Sequence, residues 1–139
     1  MKIFYSFLII FLFTPSLFAD STEINNDSDT KRVFFVEPVD GAHVHSPITI
    51  KMGVSGMQVA KAGELVDGAG HHHLIINGSA IEKDMVVPAD KDHIHFGGGQ
   101  TETTLELEPG EYSLTLQFAD GMHRSYGEEM SKTIHIKVE

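Results

Sequence analysis

Apolar and polar positions alternate in short runs from Val33 onward: Val33 to Val36, Pro47 to Val54, His71 to Ile76, Thr103 to Leu107, Tyr112 to Phe118 and Thr133 to Val138. A period of two sends successive side chains to opposite faces, so each run predicts a strand with one buried side. No segment sustains a helical period. Glu108-Pro109-Gly110-Glu111 separates two such runs and reads as a tight connection between antiparallel strands, with Tyr112 placed as a tyrosine corner. The spacing predicts an all-β domain, an immunoglobulin-like antiparallel β-sandwich over residues 33–139.

The preceding segment breaks this pattern. Met1-Lys2, the apolar run Ile3 to Phe13, Pro15 and then Leu17-Phe18-Ala19 before Asp20 predict a secretory signal peptide over residues 1–19. The run is shorter than the roughly 18 to 20 residues that span a bilayer, so no membrane insertion is expected after cleavage. Residues 20–32 are polar, rich in Asn, Asp and Ser and without period, and predict a flexible tether. The remaining length suits a single domain.

Composition narrows the chemistry. The formal net charge is −10, which disfavours nucleic acid and acidic bilayer surfaces and favours cations. The absence of Cys removes disulfides, thiolate ligands and Cys nucleophiles together, leaving imidazole and thioether for any soft metal. Nine His are present, and five lie in two clusters, Gly70-His71-His72-His73-Leu74 and His93-Ile94-His95-Phe96. Imidazole is the commonest protein metal ligand.

Strand parity separates these histidines. Leu74 and Ile76 are natural core residues, which puts His72 on the core side and His71 with His73 on the other, where Ile75 is an awkward apolar neighbour. Ile94 and Phe96 likewise send His93 and His95 away from the core. Convergence of the two pairs would give four imidazoles, enough for a tetrahedral or tetragonal site. His72 reads as a core histidine or an outer group that steadies a ligand. His135, alternating with Ile134 and Ile136, reads as an outward strand residue, and His43 with His45 as a surface pair in a turn. Gly97-Gly98-Gly99 lacks the Lys-Ser/Thr and helix of a phosphate loop and reads as a sharp turn beside the histidines. Gln100, Thr101 and Glu102 follow at a spacing suited either to orienting ligand imidazoles or to the turn itself.

Gly70 to His73 spells GHHH and His95 to Glu102 spells HFGGGQTE, and in both the chain resembles the DUF4399 family of exported bacterial domains. The similarity extends to Ser55-Gly56-Met57, Ala62-Gly63, Pro109-Gly110 and Asp120 to His123, over nearly all of residues 33–139. It marks His71, His72, His73, His95, Gly97, Gly98, Gly99, Gln100, Thr101 and Glu102 as motif positions and implies no activity. The turn bearing His43 and His45 departs from the family pattern.

Three readings follow. The first is an exported or periplasmic protein that binds copper or zinc through His71, His73, His93 and His95, as carrier, buffer or sensor, with His72, Gln100, Glu102, Met57 and His123 as additional or supporting groups and Met122 as a further thioether. Copper is slightly favoured by the affinity order, and binding should weaken as pH falls through about 6.5. The second is a metal-dependent enzyme with an open coordination position and Glu102 or His72 as acid/base; HExxH and GxSxG are both absent. The third is an envelope interaction module with a pH-sensitive histidine network. The metal ion is the one partner that the residues specify.

Overall fold

The computed structural model describes residues 30–139. The predicted signal peptide and most of the predicted tether lie outside the described residues. Nine strands follow in order: β1 (Arg32–Glu37), β2 (Ala42–Val44), β3 (Ile48–Ser55), β4 (Gln58–Val59), β5 (Ala69–Ile76), β6 (His93–His95), β7 (Glu102–Leu105), β8 (Gly110–Ala119) and β9 (Ser131–Val138), with a 3-10 turn at Glu128–Met130. Arg32, the last residue of the predicted tether, already pairs with Ser55 in the first strand.

The alternation that predicts the strands also builds the core. Val33, Ile48, Ile50 and Met52 from β1 and β3 pack against Leu74, Leu114, Leu116, Phe118, Ile134, Ile136 and Val138 from β5, β8 and β9. Burying one such aliphatic side chain contributes about 1.5–3 kcal/mol. One sheet has the order β1-β3-β7 and the other β2-β9-β8-β5-β4, with β6 also paired to β5. Tyr112 donates its hydroxyl to Glu108 O at 2.9 Å, the back-bond of a tyrosine corner.

The all-β expectation is met, with one refinement: the sheets are not purely antiparallel. The short strands β2 and β4 run parallel to β9 and β5. They have only two or three residues each, and Ala42, Val44 and Val59 among them pack against the core.

The outer face of β5 and β8 is not exposed. His71, His73, Ile75, Thr115 and Gln117 point there and are all buried, under the connections that follow β5 and β8. Gln117 accepts from Ile81 N and donates to the carbonyls of Gly127 and Met130, while the Thr115 hydroxyl donates to Gly78 O. Gln117 and Thr115 are therefore satisfied by loop backbone, as buried polar groups require. This cover also explains Ile75, which is apolar because its face is roofed.

Candidate metal centre

β5 is hydrogen-bonded along both edges, to β8 on one side and to β4 and β6 on the other. It holds His71 and His73 rigidly on one face. Register places His95 of β6 opposite His73. His71 lies opposite Ala119, the last residue of β8, and there the chain turns through 120–124 and returns, Ser125 bridging back to Ala119. That turn delivers His123, whose φ of 66° is left-handed.

Four ring nitrogens consequently line up in a chain of contacts, three of them, from His71, His95 and His123, lying mutually close. His71 Nε2 is 3.0 Å from His73 Nε2 and 3.1 Å from His95 Nε2, and His95 Nε2 is 3.1 Å from His123 Nε2. The six ring-centroid separations run from 4.7 to 5.9 Å. His71, His95 and His123 each offer a nitrogen within 4.8 Å of the others, close enough to hold a metal ion. His71 and His73 are buried, His123 is half-buried and His95 is exposed, so the cluster opens at one side.

Glycines make room for it. A Cβ on Gly97 would overlap the His95 ring, and one on Gly121 would overlap the backbone carbonyl of Glu64. Gly63 N donates to Gly121 O, and Ala62 N to Gly97 O, tying one connecting segment to both histidine-bearing turns. Gly99 has φ +81°, a conformation that favours glycine.

Burial favours the neutral form of His71, His73 and His95. Desolvation, reinforced by the neighbouring His95 and His123, lowers His71 to about 4, and Asp120 opposes this. Desolvation and the surrounding histidines lower His73 to about 3. His95 is lowered by burial and by His123. Neutral imidazoles keep the lone pairs that a metal needs.

As a hydrogen-bonded network the cluster is poorly satisfied. A neutral imidazole Nε2 either carries one hydrogen or offers one lone pair. Along the chain His73, His71, His95, His123, strict alternation supplies two hydrogens for three contacts, and both interior nitrogens must be shared. Among the described residues the Nδ1 atoms of His71 and His73 are buried with no hydrogen-bond partner.

The structure brings together His71, His73 and His95 from the predicted set, and His123 takes the place expected of His93. His93 Nδ1 is bound instead to Asp90 Oδ1 at 2.7 Å. His72 is fully buried, with its ring edge-on to Phe118 at 5.0 Å and neither nitrogen hydrogen-bonded among the described residues, so it makes no hydrogen bond to another histidine. Gln100 accepts from Gly98 N and braces the triple-glycine turn rather than an imidazole. Glu102 lies on β7 opposite Lys51, in the other sheet, and Met57 packs against the apolar core. His43 bonds Glu139, His45 bonds the Glu139 carbonyl and His135 faces Asp40, all on an exposed edge. The group that sequence reasoning missed is Asp120, whose Asp-Gly pair signals a turn and nothing more.

These features define an all-β domain with a converging histidine cluster at one side of its larger sheet. The chain belongs to the DUF4399 family, described as a domain of unknown function, whose model matches residues 50–139. That range contains all four converging histidines. No curated protein and no solved structure matches the chain.

Proposed function

We propose that this domain is an exported metal-binding protein that holds one Cu(II) or Zn(II) ion through the Nε2 atoms of His71, His73, His95 and His123, and serves as a carrier or buffer. The observation that carries the reading is the mutual closeness of His71, His95 and His123, with His73 Nε2 3.0 Å from His71 Nε2, in a chain whose hydrogen bonds do not balance. A cation accepts all four lone pairs at once.

The spacing fits such an ion. Nitrogens sharing a metal with bonds of about 2.0–2.1 Å stand about 2.9 Å apart in a square arrangement and about 3.3 Å apart in a tetrahedral one. The observed contacts of 3.0 and 3.1 Å fall between the two. Imidazole without thiolate or carboxylate suits both Cu(II) and Zn(II), and the divalent affinity order favours copper. Bound there, the ion would link the two exposed turns to β5.

With His73 joining the three mutually close imidazoles the ion has four ligands, which favours holding over catalysis, because a catalytic zinc site typically keeps three protein ligands and leaves the fourth position for water or substrate. A hollow of about 840 Å³ on the surface is lined by Ile81, Lys83, Gly127, Glu128 and Lys132 among others and includes none of the four imidazoles. The partly exposed His95 and His123 support exchange of the ion over permanent structural use. Export rests on the Lys2, apolar-run and Leu17-Phe18-Ala19 pattern. Among the described residues no helix is long and apolar enough to cross a membrane.

Calorimetric titration of tag-free protein with Cu(II) and Zn(II) tests the proposal. Uptake of one equivalent, lost in His71→Ala and His95→Ala, is the expected result. No stoichiometric uptake of either metal would leave the pH-sensitive histidine network as the better account.

A further inference from the structure

The one imidazole of the four that lies outside a strand belongs to the turn after β8, and that turn is organised around one carboxylate. Asp120 Oδ1 accepts from Met122 N at 2.8 Å and from Arg124 N at 2.9 Å. Its Oδ2 accepts from Arg124 Nε at 2.8 Å and lies 2.8 Å from Arg124 Nη2. The Asp120 backbone closes the same turn, its N–H donating to Arg124 O and its carbonyl accepting from His123 N, both at 2.9 Å. Asp120 is itself buried. Between its two amide donors sits His123, with left-handed φ, which a residue carrying a Cβ adopts only when its surroundings over-determine it.

Resting on the metal reading above, we propose that Asp120 is the positioning residue of the site: by binding the amides on both sides of His123 it fixes the left-handed turn that aims His123 Nε2 at the cluster before a metal arrives. Preorganisation of this kind raises affinity by removing an ordering cost from the binding step. The turn would otherwise have to fold onto the ion. Arg124 neutralises the carboxylate, and its guanidinium is half-exposed, so the two backbone bonds are the part that places His123.

Three variants and one measurement on the native chain separate this role from general support of the fold. Cu(II) affinity and the number of nitrogens in the Cu(II) electron paramagnetic resonance spectrum are measured for the full chain and for Asp120→Ala, Asp120→Asn and His123→Ala. Asp120→Ala should weaken binding about 10- to 100-fold, the range seen when groups that orient ligands are removed, and should lose one nitrogen as His123→Ala does. Asp120→Asn keeps an oxygen that accepts from both amides and should restore the fourth nitrogen with affinity within about threefold. In the metal-free native chain the Met122 and Arg124 amides should exchange slowly with solvent, a readout that survives if Asp120→Ala does not fold. An Asp120→Ala protein with unchanged affinity and four nitrogens, an Asp120→Asn protein that loses the fourth nitrogen, or freely exchanging amides in the metal-free chain would each overturn the assignment. Absence of metal uptake by the native chain would instead overturn the metal reading on which it rests.

Discussion

His72 shows what burial of an imidazole costs when nothing answers it. Among the described residues both ring nitrogens are buried without a hydrogen-bond partner, and desolvation followed by the neighbouring His71 lowers it to about 4. A buried polar group left unsatisfied costs about 1–3 kcal/mol, so His72→Leu should raise the unfolding free energy read from urea denaturation by a comparable amount while changing metal affinity by less than about threefold. A fall in both would show that the ring supports the cluster. At the cluster itself, His123→Ala should weaken metal binding as strongly as His95→Ala, whereas His93→Ala and His135→Ala should leave calorimetric affinity within about threefold of the native value. Parity alone makes His71, His73 and His95 legible, because each sits in a strand and the period of two fixes its face. His93 shares the parity of His95 but is bound by Asp90, three residues earlier, a side-chain contact that no periodicity encodes. His123 owes its position to a left-handed residue in a turn closed by Asp120, so only the tertiary contacts reveal it.

The elements differ in how much of them the chain pattern announces. Long strands such as β3, β8 and β9 alternate against one core and can be read directly, whereas β2, β4 and β6 have two or three residues each and exist because a neighbouring strand offers an edge. The roof over the outer face of β5 is invisible in the same way, since its connections present backbone, not apolar side chains, to Gln117 and Thr115. The turns at Gly97 and Gly121 allow two contrasting predictions. Gly97→Ala displaces an exposed imidazole that can rotate away, so metal affinity should fall at least about tenfold with little change in unfolding midpoint. Gly121→Ala meets the rigid backbone of Glu64, so stability should fall by about 1–3 kcal/mol along with metal affinity. Equal stability losses in the two variants would contradict this division between a turn that makes room for a ligand and a turn that carries packing.

For the whole molecule, the buried histidines tie stability to pH. His71 and His72 are held neutral to about 4 and His73 to about 3, while unfolded histidines take up protons near 6.5. Below pH 6.5 the unfolded chain binds protons that the folded domain refuses, so stability is fully present above that pH and is lost as pH falls toward 4. One histidine lowered that far accounts for on the order of 3 kcal/mol, with less per group when several neighbours titrate together. The denaturation midpoint of metal-free protein should therefore drop steeply between pH 6.5 and 4, and a flat profile would contradict the burial of these rings. The same neutrality shifts metal release to lower pH than free histidine predicts, since protons compete for His71 and His73 only below the usual range. Metal should also raise the thermal midpoint, because an ion that binds only the folded state stabilises it by mass action. The central claim, that His71, His73, His95 and His123 share one ion, is tested most directly by X-ray absorption on tag-free protein loaded with one equivalent of Cu(II) or Zn(II). The account predicts four imidazole nitrogens near 2.0 Å, falling to three in His123→Ala. A first shell of mostly oxygen, or a spectrum identical in His123→Ala and the native protein, would contradict it.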